Sequence, residues 1–527
     1  MFKYKKPLIL KGLFFPNQNN CTTNLELQKE NAEKTLYDYQ LDDLNTIFEH
    51  LNSSDGTANL LYQLPTGGGK TVIFSEIVRR YIAENNKKVV VLTHRIELSQ
   101  QTSRMLKGFG VKNKIINSNV KDFQDQGEFM CFVAMVETLN NRLQEDKIQI
   151  SDIGLVIIDE AHYNSFRKLF KYFDSSTILG VTATPLSSNI KLPMKDHYKK
   201  LIVGESISSL IEKGFLAKAE IFNYDVSLKT LKLGINGDYT VKSSEELYGN
   251  HTMLTKLLSS YEEVSKGKKT LIFNNGINTS RYVYEMFKKA GYNIRHLDNK
   301  NSALERKEIL SWFSKTPDAI LTSVSILTTG FDEPSVETII LNRATKSLTL
   351  YFQMIGRGSR VLPNKDSFTV IDLGNNLARF GLWNAPIDWQ EIFLFPDFFL
   401  ENIKNDEEIE REFVYKMPPE LRAKFANSDS IDFDIKEEYK RVFDQGLKSK
   451  TVLERSIEQH AQICVENSED VFDARILAKQ LKEEIIYRVR QYSYCIMNNT
   501  KNYKEWLEED YERKLRSAIS KKFAARM

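Results

Sequence analysis

Short, continuous apolar runs recur along the first 400 residues and alternate with segments that have the apolar spacing of a helix. The runs occupy residues 59–63, 88–92, 130–134, 155–158 and 177–181, and then 270–273, 293–297, 319–323 and 337–341. Short runs rich in apolar residues are typical of parallel strands covered on both faces by helices. The pattern therefore predicts two doubly wound α/β domains in tandem.

The pattern changes from about Glu401, where a strongly acidic stretch is followed by helical periodicity without the Gly-rich turns of the α/β type. A helical module is expected there. The expected organisation is an N-terminal extension, a first α/β domain, a second α/β domain and a helical accessory module, at residues 1–34, 35–205, 206–400 and 401–527.

The last predicted helix interleaves basic and aromatic residues. They are Lys504, Arg513, Lys514, Arg516, Lys521, Lys522 and Arg526, with Tyr503, Trp506, Tyr511 and Phe523. Such a face can grip a nucleic-acid backbone. The alternative is that the aromatic residues pack on the core of the module and the basic residues are solvated. The module is also a candidate docking site for a protein partner.

Composition narrows the class of protein. A chain of 527 residues with 41% hydrophobic residues can form about three domains, and no apolar run approaches the ~20 residues of a membrane span. Four widely spaced cysteines favour neither a zinc site nor a disulfide framework, so a cytoplasmic location is expected. With a net charge of +3, any nucleic-acid binding is expected to depend on local basic surfaces.

The first candidate for a binding site is the segment from Leu64 to Thr71, which has the sequence Leu-Pro-Thr-Gly-Gly-Gly-Lys-Thr. It lies between a predicted strand and a predicted helix. Glycines there let backbone N–H groups close on phosphates, and the helix presents its positive end to them. Lys70 would reach the β and γ phosphates of ATP, and Thr71 would hold Mg²⁺. We call residues 64–71 the phosphate loop. Its predicted nucleotide-binding residues are Thr66, Gly67, Gly68, Gly69, Lys70 and Thr71.

Two further sets of charged residues complete a predicted hydrolytic site. Asp159 and Glu160 follow a buried strand, where Asp159 could hold Mg²⁺ opposite Thr71 and Glu160 could activate water. Arg357 and Arg360 lie three residues apart in a predicted helix of the second domain, so both are expected to face the γ-phosphate. Because the second domain has no phosphate loop, it is expected to complete the site of the first.

These residues occur in an ordered series. The series is Tyr39-Gln40, residues 65–71, residues 93–98, Asp-Glu-Ala-His at 159–162, Thr-Ala-Thr-Pro at 182–185, Gly-Phe-Asp at 330–332 and residues 353–360. It resembles the motifs of superfamily 2 DEAH-box helicases and spans about residues 35–381. Residues 330–334 and 353–360, with Asp-Leu-Gly-Asn-Asn-Leu-Ala-Arg-Phe-Gly at 372–381, are most similar to the RadD-like, XPB-like and restriction-translocase branch.

The resemblance implies two RecA-like domains and a nucleic-acid-dependent ATPase that acts mainly on DNA. It implies that Gln40 reads adenine, as its amide can donate and accept at the same time, and that Gly330 and Asp332 join the nucleotide site. Coupling of hydrolysis to the nucleic-acid track is implied for His162, Thr182, Thr184 and Gln353. Contacts with track phosphates are implied for Arg95, Thr138, Ser323 and Ser325.

The chain departs from the family pattern in two places. Val324-Ser325 replaces the usual Thr-Asp before the fifth motif, and the cysteine cluster of RadD-like proteins does not follow Arg360. An RNA helicase is an alternative, because phosphate-gripping motifs do not read the 2′-OH. A further alternative is an ATP-gated subunit of a DNA repair or anti-phage defence assembly.

Overall fold

The computed structural model describes residues 36–53, 59–121, 123–124, 127–189, 191–324, 327–328, 330–428, 431–497 and 500–525. The predicted extension at 1–34 and Ser325 lie outside these ranges. The chain forms two compact units, divided between Asn405 and Asp406. Along the described residues, none of the helices combines the length and the apolar character that crossing a membrane requires.

The first α/β domain is built on a seven-stranded parallel sheet with the order β3-β5-β2-β7-β8-β1-β9, and a short β4–β6 pair lies beside it. Its strands are β1 Leu60–Gln63, β2 Lys88–Thr93, β3 Asn113–Ile116, β4 Phe123–Gln124, β5 Cys131–Met135, β6 Ile148–Gln149, β7 Ile153–Asp159, β8 Thr177–Thr182 and β9 Lys200–Val203. The central strands are buried along almost their whole length, as expected from their apolar sequences.

The strand order determines which polar residues meet at the carboxyl edge of this sheet. Strand β8 lies between β1, which leads into the phosphate loop, and β7, which ends at Asp159. Thr182 at the end of β8 is therefore placed between the loop and the acidic pair. The helices of this domain are α1 Asp38–Leu51, α2 Lys70–Asn85, α3 Ile96–Gly108 and α4 Val136–Gln144, with 3-10 turns at Asn164–Tyr172 and Met194–Asp196.

The second α/β domain has a six-stranded parallel sheet with the order β10-β15-β14-β11-β13-β12. Its strands are β10 Lys218–Asn223, β11 Thr270–Asn274, β12 Ile294–Leu297, β13 Ile320–Ser323, β14 Thr338–Asn342 and β15 Ser367–Asp372. The helices from the linker to the end of this unit are α5 Ile207–Glu212, α6 Val241–Tyr248, α7 His251–Val264, α8 Ile277–Lys289, α9 Ala303–Lys315, α10 Leu348–Ile355, α11 Asn376–Phe380, α12 Trp389–Leu394 and α13 Pro396–Asn402. Two tandem parallel-sheet domains were predicted, and the structure confirms them.

The placement of the two arginines in a helix was wrong. Helix α10 ends at Ile355, and Arg357 and Arg360 lie in the turn and extended segment beyond it. Glycines at 356 and 358 explain the ending, because glycine is the weakest helix former after proline. Phe368 also occupies the space that a Cβ at Gly358 would need. The segment 356–360 is called the arginine loop below.

The second unit is all helical over its described residues and has its own hydrophobic core. Its helices are α14 Asp406–Glu412, α15 Pro419–Arg422, α16 Ile435–Asp444, α17 Thr451–Glu466, α18 Val471–Gln480, α19 Lys482–Cys495 and α20 Lys501–Ala524, with a 3-10 turn at Ala423–Phe425.

Packing explains part of the basic and aromatic pattern of the last helix. Tyr511 and Phe523 are buried in the core of the helical unit, whereas Trp506 is 56% exposed and stacks on Tyr503. Lys514 pairs with Asp510 at 2.6 Å. Tyr503 is partly buried against the same core, so three of the four aromatic side chains are used for packing, and part of the basic charge is balanced within the unit.

Candidate functional site

The phosphate loop has the backbone that its glycines predict. Gly67 and Gly69 adopt φ values of +96° and +87°, which strongly favour glycine, and α2 begins at Lys70. The Lys70 ammonium donates to the carbonyls of Leu64 and Pro65, at 3.2 and 3.4 Å. Burial lowers the pKa of Lys70, while Glu160 and Asp159 favour its charged form. A buried, positively charged concave loop of this kind fits a polyphosphate.

Gln40 lies against this loop. A Cβ added to Gly69 would fall 2.5 Å from Gln40 Nε2, and Tyr39 OH donates to Gly68 O at 2.8 Å. Gln40 Oε1 accepts from the backbone N–H of Tyr37 at 3.1 Å and thereby caps α1. The first helix thus carries both a hydroxyl that holds the loop and an amide beside it. The reading of adenine by Gln40 stays a prediction.

Asp159 and Glu160 form a tightly coupled acidic pair at the end of β7. Burial and the charge of Glu160 raise the pKa of Asp159. Burial opposes ionisation of Glu160 as well, but Lys70, together with His162 and His94, lowers its pKa. Glu160 is therefore the ionised member of the pair, which is the protonation state that a general base needs.

The backbone and the carboxylate of Glu160 are both unusual. Its φ of +55° is left-handed, which a non-glycine residue seldom adopts. Its Oε2 atom is buried and accepts no hydrogen bond from the described residues. Strained backbone and unsatisfied polar atoms are concentrated at functional sites. Glu160 therefore combines two features that are typical of functional residues.

A chain of polar contacts leads from Glu160 to the second domain. His162 Nδ1 lies 3.4 Å from Glu160 Oε2 and 3.1 Å from Thr182 Oγ1. Thr182 Oγ1 donates to Thr184 O at 3.0 Å, and Thr184 Oγ1 donates to Thr349 Oγ1 of α10 at 2.8 Å. The predicted coupling residues His162, Thr182 and Thr184 are therefore in one contiguous network that reaches the helix before the arginine loop.

The arginine loop reaches the phosphate loop of the first domain. A Cβ added to Gly67 would lie 2.7 Å from Arg360 Nη1, and one added to Gly356 would lie 2.8 Å from Thr66 Cβ. Asp332 holds Arg360 through a 2.8 Å ion pair. Although Arg360 is not helical, the structure brings it to the place where phosphates are expected.

Arg357 is partly buried and interacts electrostatically with Arg360 and Asp332. Its two terminal nitrogens donate to the carbonyls of Phe331 and Thr328, while its Nε has no hydrogen-bond partner among the described residues. Burial and the charge of Arg360 lower the pKa of Arg357 to about 10, and Glu160 partly compensates. The guanidinium therefore stays charged at neutral pH and is electrostatically coupled to the acidic pair.

Lys365 is a residue of this site that the motifs did not reveal. Its ammonium donates to three carbonyls, those of Gly358 at 2.6 Å, Arg360 at 2.7 Å and Pro334 at 3.1 Å. All three ammonium hydrogens are thus used to hold the arginine loop against residues 332–334. Burial, with a contribution from Arg360, lowers the pKa of Lys365 to about 7.

Other predicted residues lie around this centre. Thr71 is partly exposed in the first turn of α2. Gly330 has a φ of +74° and packs against Leu98 of the first domain. Gln353 is buried in α10, and its side chain lies within hydrogen-bonding reach of the Tyr163 hydroxyl of the first domain.

The predicted phosphate contacts of the track are more dispersed. Arg95 is partly buried at the start of α3, and its charge lowers the pKa values of both His94 and Arg357, so it lies close to the hydrolytic centre. Thr138 is partly exposed in the first turn of α4. Ser323 is fully buried at the end of β13 with an unpartnered hydroxyl. A phosphate could reach Ser323 only if neighbouring residues moved.

Two known protein families match this chain, and their matches contain the residues of the site in the order predicted from the sequence. The family described as "Type III restriction enzyme, res subunit" matches residues 33–187, and the family described as "Helicase conserved C-terminal domain" matches residues 250–361. The first match contains the phosphate loop and the acidic pair. The second contains the whole arginine loop.

Individual relatives agree with the two family matches. The chain is 29% identical over 380 residues to IRC3 of Saccharomyces cerevisiae, named as an ATP-dependent helicase, with 67% of this chain and 53% of that protein covered. It therefore spans about half the length of IRC3. It is also 29% identical over 337 residues to the 51.5 kDa protein of a Lactococcus phage, with 63% of this chain and 69% of that protein covered.

A solved structure supports the fold. A fragment of an HsdR subunit of a type I restriction enzyme from Vibrio vulnificus YJ016 superimposes with a TM-score of 0.51 at 21% identity and covers 68% of this chain and 66% of that chain. This likeness shows the fold, and the two family matches, at residues 33–187 and 250–361, are consistent with a superfamily 2 helicase of the restriction-translocase type.

Proposed function

We propose that the protein is an ATP-dependent DNA translocase or helicase that hydrolyses ATP between its two α/β domains. The observation that carries the proposal is the meeting of the arginine loop and the phosphate loop, in which Arg360 Nη1 lies beside Gly67. A site composed of groups from two domains operates only when both are in contact, so nucleotide turnover can drive relative motion.

The residues present fit ATP with Mg²⁺. The left-handed glycines of the phosphate loop let Arg360 and Gln40 approach its backbone closely, and Lys70 supplies positive charge. Mg²⁺ prefers few protein oxygens and several phosphate or water oxygens, and Thr71 and Asp159 offer a hydroxyl and a carboxylate. Bound there, Mg²⁺ would neutralise charge on the phosphates.

In this proposal the hydrolytic roles follow from charge and position. Glu160 orients and deprotonates the attacking water, because its carboxylate is charged and unsatisfied. Arg357 and Arg360 neutralise charge that develops on the phosphoryl group, a function worth about 10³- to 10⁵-fold where arginine fingers operate. The contacts through His162, Thr182 and Thr184 transmit a change in the position or charge of Glu160 to α10 of the second domain.

The proposal is tested by the ATPase activity of the full chain with single-stranded DNA, duplex DNA and RNA offered separately. We expect DNA to raise turnover and RNA to have little effect. Stimulation should fade with salt, since each neutralised phosphate adds ~0.7 to 0.9 to the log–log salt slope. Stimulation by RNA alone would reject the DNA assignment, and no stimulation by any nucleic acid would reject the translocase.

A further inference from the structure

A hairpin-like loop projects from the second domain between β10 and α6. Gly234 N–H donates to Asp238 O at 2.8 Å and Thr240 N–H donates to Lys232 O at 2.8 Å, so that residues 232–234 and 238–240 run antiparallel. We call residues 232–240 the hairpin. Its turn contains Gly237 with a φ of +78°.

The base of the hairpin is fixed by Asp238. Its carboxylate accepts from Thr345 Oγ1 at 2.6 Å and from the backbone N–H of Lys346 at 2.8 Å, and it lies 3.5 Å from Arg343 Nη2. These three residues follow β14 directly. The hairpin is therefore attached to the carboxyl edge of the second sheet.

Tyr239 supplies a second anchor. Arg379 Nη2 donates to Tyr239 OH at 2.7 Å, and Asn275 Nδ2, just beyond β11, donates to Tyr239 O at 3.3 Å. Lys346 also lies over the Tyr239 ring, 5.8 Å from its centroid. The hairpin is thus tied to the ends of two strands and to α11.

The segment at 372–381, which marked the family resemblance, belongs to the same framework. Buried Asp372 accepts from the backbone N–H groups of Gly374 and Leu377, at 2.9 and 2.7 Å, and from Asn376 Nδ2 at 2.8 Å. Asn376 Oδ1 in turn accepts from the N–H of Thr345 at 3.0 Å. A network of buried hydrogen bonds therefore holds the residues on which the hairpin rests.

Three apolar side chains, two in the hairpin and one at the start of α6, are exposed to solvent. Ile235 is fully exposed, and Leu233 and Val241 are 54% and 52% exposed. Lys232 and Lys242 are exposed beside them, while Asp238 is engaged at the base. The surface that faces outward thus combines a narrow apolar edge with positive charge.

This combination fits nucleic acid better than a protein partner. A stable protein interface needs about 800 Å² on each side, which a three-residue apolar tip does not offer. Narrow apolar side chains, isoleucine included, are what nucleic-acid-binding proteins insert between base steps, with basic residues on the adjacent phosphates. The anchors also lie at the carboxyl edge of the sheet, where α/β folds bind ligands.

We infer that the 232–240 hairpin is a wedge that contacts bases at the junction between single-stranded and duplex DNA, with Ile235 and Leu233 against the terminal base pair. The inference rests on the proposed DNA-dependent function. In this inference the apolar tip separates the bases. The hydrogen-bond network around Asp238 and Asp372 holds the hairpin in place while it does so.

The experiment uses a forked DNA duplex with 2-aminopurine in the last base pair before the fork. The fluorescence increase on binding is measured with the full chain and its variants Ile235→Ser and Leu233→Ser/Ile235→Ser. Ile476→Ser, a matched change at an exposed isoleucine of the helical unit, is the control. Stimulation of ATPase by single-stranded DNA is measured in parallel.

We expect the unmodified protein and the control to raise the fluorescence, and the hairpin variants to lose about two thirds or more of that rise. Their ATPase with single-stranded DNA should stay within about twofold, because no hydrolytic residue is changed. An unchanged signal in the variants, or no signal from an unmodified protein whose ATPase responds to DNA, overturns the wedge alone. If no DNA stimulates the ATPase of the unmodified protein, the proposed function fails and the wedge fails with it.

Discussion

At the scale of single residues, Lys70 and Glu160 interact electrostatically but should differ in what they contribute to hydrolysis. Lys70→Ala and Glu160→Gln should both abolish hydrolysis, but Glu160→Gln should still bind ATP, since it removes only the group that activates water. ATP affinity and turnover, measured separately, test the difference. Near-normal turnover of the Glu160→Gln protein would show that another group is the base.

The two arginines should affect turnover more than nucleotide binding. Arg357→Ala and Arg360→Ala should each lower the hydrolysis rate by about tenfold or more with ATP affinity largely unchanged, because their charge matters most when charge develops in the transition state. Arg281→Ala, at an exposed arginine of the same domain, is the control. A parallel loss of ATP affinity would instead make the arginine a ligand of the ground state.

At the scale of elements, the arginine loop depends on Lys365. In Lys365→Met the carbonyls of Gly358 and Arg360 lose their donor, so the loop should loosen and the hydrolysis rate should fall by about tenfold while ATP binding persists. Lys307→Met, at an exposed lysine of α9, is the matched control. An unchanged rate would mean that the loop is held adequately by its other contacts.

Lys365 is also expected to make the free energy of unfolding rise with pH. Its pKa is about 7 in the folded protein, below the ordinary value for lysine. Between those values the unfolded chain carries a proton that the folded protein lacks, so the contribution of Lys365 to the free energy of unfolding rises with pH. Denaturant unfolding at pH 7 and pH 9 should therefore show a larger rise for the unmodified protein than for Lys365→Met.

Elements differed in how far the sequence could predict them. Nine strands were predicted within a residue or two, since parallel strands covered on both faces are short and mostly apolar. Strand β15 is equally buried but was not predicted. The end of α10 was not, because the periodicity of residues 348–360 hid the effect of Gly356 and Gly358. In the site, the phosphate loop and the acidic pair were predictable because their chemistry needs fixed residue types at fixed spacings.

What depends on contacts between distant parts of the chain could not be predicted. Lys365 has no motif, and only the fold shows that its ammonium reaches three carbonyls. The ion pair between Glu97 and Arg306 joins the two α/β domains across 209 residues. The hairpin was invisible as well, because its importance depends on anchors more than 100 residues away.

At the scale of the whole molecule, the division into two compact units predicts that they can be separated. The buried hydrophobic residues of the first core lie between Tyr39 and Phe393, and those of the second between Phe425 and Phe523, so no core residue is shared. A protein that ends at Asn405 should therefore keep its basal ATPase within about twofold. Loss of basal ATPase would show that the α/β unit depends on the helical one.

The same truncated protein tests the role of the helical unit. If its DNA affinity falls by about tenfold or more while basal ATPase persists, the helical unit binds DNA. If affinity is unchanged, docking of a protein partner is favoured. Affinity measured with single-stranded and duplex DNA on the full chain provides the reference.

The conformation of Glu160 also affects how the thermal stability and the activity of this protein can change through mutation. A left-handed backbone costs a non-glycine residue about 1 kcal/mol or more, and a buried carboxylate oxygen that accepts no hydrogen bond from the described residues adds to that cost. Hydrolysis and resistance to heat therefore make opposite demands on this position. A selection for thermal tolerance alone would tend to accept a smaller, uncharged residue there and yield a sturdier protein that no longer turns over ATP.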